Sequence, residues 1–450
     1  MRSTHTLFST LNGPSRQIAL GWLGLALASM VGAGLVVILI VLARMPIIHD
    51  MIPWVGSFKT ALVIHVDLSV LVWFLAFAGV IAAFTMREGV SPPARMGIKL
   101  AWLGTVLITF SPFLGAGTPY MNNYIPVLEN QAFFAGIILF SIGFLPTGLL
   151  GTLSARHADL AYDKALILGS RIAQALALLA ILFVIWSGFT LPGDVSGEYQ
   201  YEILFWGGGH ILQFTHTHLV SVVWLSLALF GGLRVMGSGR AITFTFIIGA
   251  LPILAAPVIQ ILFPLDTVSY RDGFTEMMRW GNGITPLIIG LMLLPGLLAN
   301  PTDDAQSQIA RTTLRLSLLL FLAGGVIGFM IRGINVTIPA HYHGSIIAIT
   351  LCYMGFTYLL LPMLGRGTVS PIWARRQLWI YVLGQLIHIF GLAWSGGHDV
   401  QRKTVGAAQE LDTLQAKLPM MVTGIGAGIA IIAGIMFLVL AIRAFRQKQT

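Results

Sequence analysis

Twelve apolar runs, each long enough to cross a bilayer, account for most of this chain. They lie near residues 17–44, 60–86, 97–117, 131–153, 166–193, 203–231, 241–265, 279–299, 313–331, 338–364, 374–395 and 418–444, joined by short polar loops. A helix rises 1.5 Å per residue, so about 20 apolar residues span the hydrocarbon core, and in lipid the helix satisfies its own backbone. The spacing therefore predicts an all-α integral membrane bundle of twelve helices, one membrane domain over residues 1–450. Composition agrees: 56% of residues are hydrophobic and 10% charged, with mean hydropathy +0.85. Soluble domains carry about 25% charged residues, so a water-soluble enzyme is excluded. A disordered chain is excluded too. The first run is too long for a signal-peptide core and reads as a helix of the bundle.

The charge balance, 26 basic against 17 acidic residues and a formal +9, fits a membrane topology better than a nucleic-acid partner. With the N-terminus inside and the loops assigned alternately, most basic residues fall on one side. Arg2, Arg87, Arg95, Lys99, Arg156, Arg171, Arg311, Arg375 and Arg446 are among them, with the acids Glu88 and Asp303. That is the positive-inside pattern, with both termini cytoplasmic, as in a bacterial inner membrane. The single cysteine, Cys352, allows no intramolecular disulfide and no thiolate cluster.

Four of the eleven histidines fall into one layer of the predicted bundle. His65 stands early in helix 2, His210 early in helix 6, and His341 and His343 at the start of helix 10. At 1.5 Å per residue His65 and His210 lie roughly 10–15 Å below the outer surface, with the helix 10 pair at similar or shallower depth. Imidazoles in such a layer are costly unless they bind something. In His341-Tyr342-His343 the two rings point about 200° apart on a helix. One helix can then serve two flat macrocycles on opposite faces, while a single ion does not normally use both rings on a regular helix. A bis-histidine haem needs a second ligand at the same depth, and His65 qualifies.

Together, VIHVDLSVLVWFLAF in helix 2, GGGH in helix 6 and IPAHYHGSIIAITLCYMGFTYLLLPMLG in helix 10 resemble subunit I of the haem–copper oxidase superfamily. The wording is closest to the nitric oxide reductase large subunit and the C-type oxidases. The resemblance implies two haems: His65 and His343 as axial ligands of a low-spin haem, and His341 as proximal ligand of a high-spin haem. His210 would be one ligand of a non-haem metal, copper or iron. It also implies basic partners for the haem carboxylates, and Arg402, Lys403 and Arg332 are the candidates.

The pattern breaks in helix 7. The family places two adjacent histidines there, but AITFTFIIGALPILAAPVIQILFPL contains none, and no histidine occurs between His218 and His341. Four residues after His210 stands Phe214, where an oxidase tyrosine or a reductase glutamate would be expected. His216 and His218 could reach an ion held by His210 only if helix 6 bent or bulged. Gln213, one turn below His210, and His388 on helix 11 are further candidates. The non-haem metal is thus expected to be weakly held or absent.

The implied activity is passage of electrons from the low-spin to the high-spin haem to reduce dioxygen or nitric oxide. The donor would be a cytochrome c or copper subunit at the outer face. A non-turnover haem carrier or gas sensor, and a twelve-helix transporter, remain as alternatives. Asp67 and Gln260 could move protons or bridge helices, and Glu198, Glu202, Glu276 and Arg279 gather at the outer edge. His5, His49, His157 and His398 lie in loops or termini and carry no role.

Overall fold

The computed structural model describes residues 7–8, 11–46, 55–87, 92–299, 304–405, 409, 411 and 413–448. His5, His49, Arg2, Glu88 and Asp303 lie outside them. Among the described residues twelve helices are long and apolar enough to cross a membrane: α1 Gly13–Arg44, α2 Phe58–Thr85, α3 Pro92–Phe113, α4 Gln131–Leu153, α5 Ala161–Phe189, α6 Gly197–Phe230, α7 Gly239–Leu262, α8 Val268–Leu297, α9 Ala305–Phe329, α10 Thr337–Met363, α11 Pro371–Gly396 and α12 Leu414–Arg446. The all-α, multi-pass membrane architecture follows. Over their most apolar stretches α6, α2 and α10 are 94%, 89% and 78% enclosed by protein, against 28–50% for the other nine. The three enclosed helices are those that carry His210, His65, and His341 with His343.

Local deviations have local causes. Pro252 cannot donate to the helical ladder, and α7 tightens to 3-10 geometry over Leu251–Leu254. Span α8 begins at Val268, not near 279, because its first segment, VSYRDGFTEMMRWG, is too polar to register as an apolar run. Within α2 the helix widens to π-helical pitch over Asp67–Val72, a feature that apolar periodicity does not reveal. Between α3 and α4 the chain forms a two-stranded antiparallel ladder, β1 Thr118–Tyr120 with β2 Val127–Glu129. Asn130 closes it by accepting the Phe133 N–H at 2.8 Å as the N-cap of α4.

The chain divides into two compact units: residues 1–29 with 66–300, and residues 30–65 with 301–450. In the first unit α3 and α4 touch backbone to backbone through Gly97, Gly104, Gly136 and Gly143. A Cβ on Gly104 would lie 2.6 Å from the Gly136 carbonyl oxygen and 2.9 Å from the Phe140 Cα. Lipid offers no hydrophobic drive between helices, so such close small-residue packing carries the association. The C-terminal half of α2 is held by polar bridges, Gln174 Nε2 donating to the Ala78 carbonyl at 2.8 Å and Thr85 Oγ1 meeting Ser170 Oγ at 3.1 Å.

In the second unit α9 crosses α10 where Gly324 meets Gly344, and Ser317 Oγ donates to the Ala348 carbonyl at 2.8 Å. Tyr358 on α10 donates to Gln377 Oε1 on α11 at 3.0 Å, and Gln377 Nε2 reaches the Ala433 carbonyl on α12 at 3.2 Å. A small core of Val336, Ala340, Leu392, Val400 and Met420 seals the start of α10.

The α3–α4 contact gives a first test. Gly104→Leu should lower the thermal midpoint of the detergent-solubilised protein by several degrees, since overpacking costs about 1–3 kcal/mol. Gly434→Leu, with open space around it, should leave the midpoint unchanged. Circular dichroism on heating distinguishes the two.

Candidate functional site

The second unit holds four imidazoles in one state. His341 Nδ1 donates to the Gly324 carbonyl at 2.8 Å, His343 Nδ1 to Pro339 at 2.8 Å, His65 Nδ1 to Ala33 at 3.1 Å and His388 Nδ1 to Thr423 at 3.0 Å. A carbonyl can only accept, so each Nδ1 carries the proton. Nε2 is then the nitrogen with a lone pair for a metal, the arrangement found behind metal-bound histidines. All four side chains are only half-buried. Room for the His341 ring comes from α9, where a Cβ on Gly328 would lie 2.7 Å from Nδ1.

His388 packs beside His343 with ring centres 4.9 Å apart and planes at 55°. Imidazoles across one iron would have ring centres about 6 Å apart, two metal–nitrogen bonds of about 2 Å plus the two ring radii. His388 is therefore a neighbour of His343 and not its partner across an iron. Both His65 and Arg44 lie close enough to His343 to act on its charge.

Arg44, at the C-terminal end of α1, was not among the sequence candidates. It sits by Tyr342, and its Nε and one terminal nitrogen are buried without a hydrogen bond. A buried guanidinium of this kind calls for an anion. Of the sequence candidates, Arg402 also acts on Tyr342. The loop carrying Arg402 and Lys403 folds back on the start of α10 through Val336 N–H to the Val400 carbonyl at 3.0 Å and the Asn335–Gln401 bridge. Asp399 and Lys403 adopt φ of 56° and 61° there, a left-handed conformation that is uncommon outside glycine and gathers at functional turns. Arg332 offers its carbonyl to Asn335 Nδ2 at 3.1 Å, and its side chain is exposed.

The first unit treats its histidines differently. His210, 1% exposed, donates from Nδ1 to the Trp206 carbonyl at 2.7 Å. Its Nε2 must then accept, and Tyr124 O–H supplies the proton at 2.9 Å. The preceding glycines make this fit. A Cβ on Gly207 would strike the Tyr270 hydroxyl at 2.7 Å and one on Gly208 the Ala180 carbonyl at 2.8 Å, while one on Gly209 would enter the Tyr124 ring. Tyr124 lies between β1 and β2, and Glu202 on α6 holds that loop by accepting the Asn123 N–H at 2.8 Å and its side-chain amide. Burial and the Glu202 carboxylate push the Tyr124 phenol up from its usual range, so it stays protonated.

His218 has Nδ1 on the Phe214 carbonyl at 2.8 Å, with Nε2 facing the Phe246 carbonyl at 3.2 Å and Thr285 Oγ1 at 3.4 Å. His216, 1% exposed, makes no hydrogen bond and meets Phe74 edge-on at 4.7 Å. Span α6 runs unbroken from Gly197 to Phe230, so no bulge turns His216 or His218 toward His210. Gln213 contributes its carbonyl to Thr217. Among the described residues no three His, Cys, Asp or Glu side chains gather as a metal site. A copper held by about three imidazoles does not fit this unit, whereas haem iron fits the anchored histidines of the other.

The remaining polar candidates separate. Gln260 bridges helices, accepting from Tyr270 O–H at 3.1 Å and donating to Ser187 Oγ at 3.4 Å. Glu276 pairs with Arg279 one turn along α8 and accepts from Trp280 Nε1 at 2.8 Å. Asp67 is 1% exposed, with neither carboxyl oxygen hydrogen-bonded.

No family model matches the chain. It is 30% identical to an uncharacterized protein of Rickettsia prowazekii over 96% of both chains. It is 22% identical to a cytochrome c oxidase subunit 1 of Thermus thermophilus, over 88% of this chain and 77% of the relative. A second Thermus thermophilus sequence of that name matches at 32% over 93 residues, 86% of its length. A solved haem–copper terminal oxidase dimer superposes with a TM-score of 0.70 at 14% identity, covering 98% of this chain and 85% of that one. The chain thus has the fold of a haem–copper terminal oxidase, with weak sequence similarity to cytochrome c oxidase subunit 1.

Proposed function

We propose that this protein is a two-haem electron-transfer subunit that reduces dioxygen or nitric oxide. His65 and His343 hold a low-spin haem, and His341 holds a second haem at the reaction site. The observation that carries this reading is the shared state of the histidines, each with Nδ1 on a backbone carbonyl, the tautomer that places the lone pair on Nε2. Bound haem supplies the one-electron chemistry and the iron that meets the gas. The chain's own residues do the rest. The α10 backbone keeps His341 and His343 on opposite faces, and the Gly324 and Pro339 carbonyls fix their tautomers. Arg44 and Arg402, with Lys403 and Arg332 as further cations, neutralise the haem carboxylates. Electrons enter from a cytochrome c or copper subunit at the outer face, and both termini lie in the cytoplasm of a bacterial inner membrane.

A second reading, a haem carrier or gas sensor without turnover, has one observation in its favour. His210 Nε2 is taken by Tyr124, and His218 Nε2 is enclosed by the Phe246 carbonyl and the Thr285 hydroxyl. Gas consumption separates the two. The purified protein, reduced with an artificial donor, should consume oxygen or nitric oxide continuously. Reduction and reoxidation of the haems without sustained uptake would assign the protein to the carrier class.

A further inference from the structure

The first unit contains a hydrogen-bonded pair that the haem reading does not use. His210 is ringed by Tyr124 at 4.6 Å, Trp206 at 4.7 Å and Phe274 at 5.9 Å between ring centres. Tyr124 O–H lies on the one nitrogen that a metal could take. The arrangement is built from three directions: the Trp206 carbonyl fixes the tautomer, Gly209 makes space for the phenol ring, and Glu202 ties down the loop that carries it.

We propose that Tyr124, not a metal ion, is the resident partner of His210, and that the pair is a metal-free donor–acceptor site. Tyr124 holds the proton and His210 Nε2 the lone pair. A metal would have to displace the phenol, breaking the 2.9 Å bond, and would find one imidazole where stable copper binding wants about three. The Glu202 clamp opposes that displacement. Tyr124 is thus a positioning residue for His210. The haem reading enters only in making this face of α6 part of an electron-transfer subunit.

Copper binding tests the proposal directly, and independently of any haem. The full-length protein in detergent is dialysed against copper(I), washed with chelator and analysed for bound metal. Wild type, Tyr124→Phe and His210→Ala should retain the same background copper. A histidine is shorter than a tyrosine by about one metal–nitrogen bond, about 2 Å. Tyr124→His should therefore set two imidazoles across one ion and raise retained copper more than about tenfold, since even indirect changes to a ligand shell move affinity about 10–100-fold. Adding His210→Ala should abolish the gain. Copper in the wild type that is lost in His210→Ala would overturn the proposal. So would a Tyr124→His protein of unchanged thermal midpoint that gains no copper. Absence of haem would defeat the functional reading and leave this result standing.

Discussion

Replacing His343 with alanine should remove the low-spin haem signal completely, and His65→Ala should do the same. A bis-histidine low-spin iron needs an imidazole on each side, and neither partner has a substitute in place. His388 is the one histidine that could compete, since its ring lies 4.9 Å from that of His343 and its Nδ1 is anchored in the same way. That spacing is too short to admit an iron between the two rings. His388→Ala should therefore shift the low-spin bands slightly and leave their amplitude intact. Low-temperature electron paramagnetic resonance and visible spectra report the change. If His388→Ala abolished the signal and His65→Ala spared it, the ligand pair would be wrong.

His341→Ala should eliminate the carbon monoxide-binding haem and with it all gas consumption, while the low-spin bands persist. His341 and His343 share a helix but not an anchor: one leans on Gly324 of α9, the other on Pro339 of its own helix. Losing one should therefore spare the other. The space beside Gly328, where a Cβ would meet the His341 ring, suggests a sharper form of the test. In His341→Gly, added imidazole should restore part of the carbon monoxide signal. A structural defect would not respond to imidazole.

The bundle was legible because lipid imposes a plain rule: every span must be apolar and about 20 residues long. All twelve runs became helices. The rule failed where a span was not uniformly apolar, as at Val268–Gly281, and where the helix changed pitch without changing hydropathy, as at Asp67–Val72. The histidines were legible for a related reason, since an intramembrane imidazole stands out against leucine.

Their states were not legible. His216, His218 and His210 look alike in sequence. One meets an aromatic edge, one has both ring nitrogens facing backbone carbonyls, and one is capped by a tyrosine 86 residues away along the chain. Tyr124 lies in a polar loop, where a tyrosine carries no periodic signal. Arg44 was hidden similarly, because a basic residue at a helix end reads as a topology charge until its neighbours are known.

The haem content and spectrum of the purified full-length protein test the assignment most directly. Pyridine haemochrome analysis should give two haems per chain. The reduced protein should show one low-spin species and one species whose spectrum changes on adding carbon monoxide. A colourless protein, or one whose haem spectrum is unaffected by His341→Ala and His343→Ala together, would contradict it.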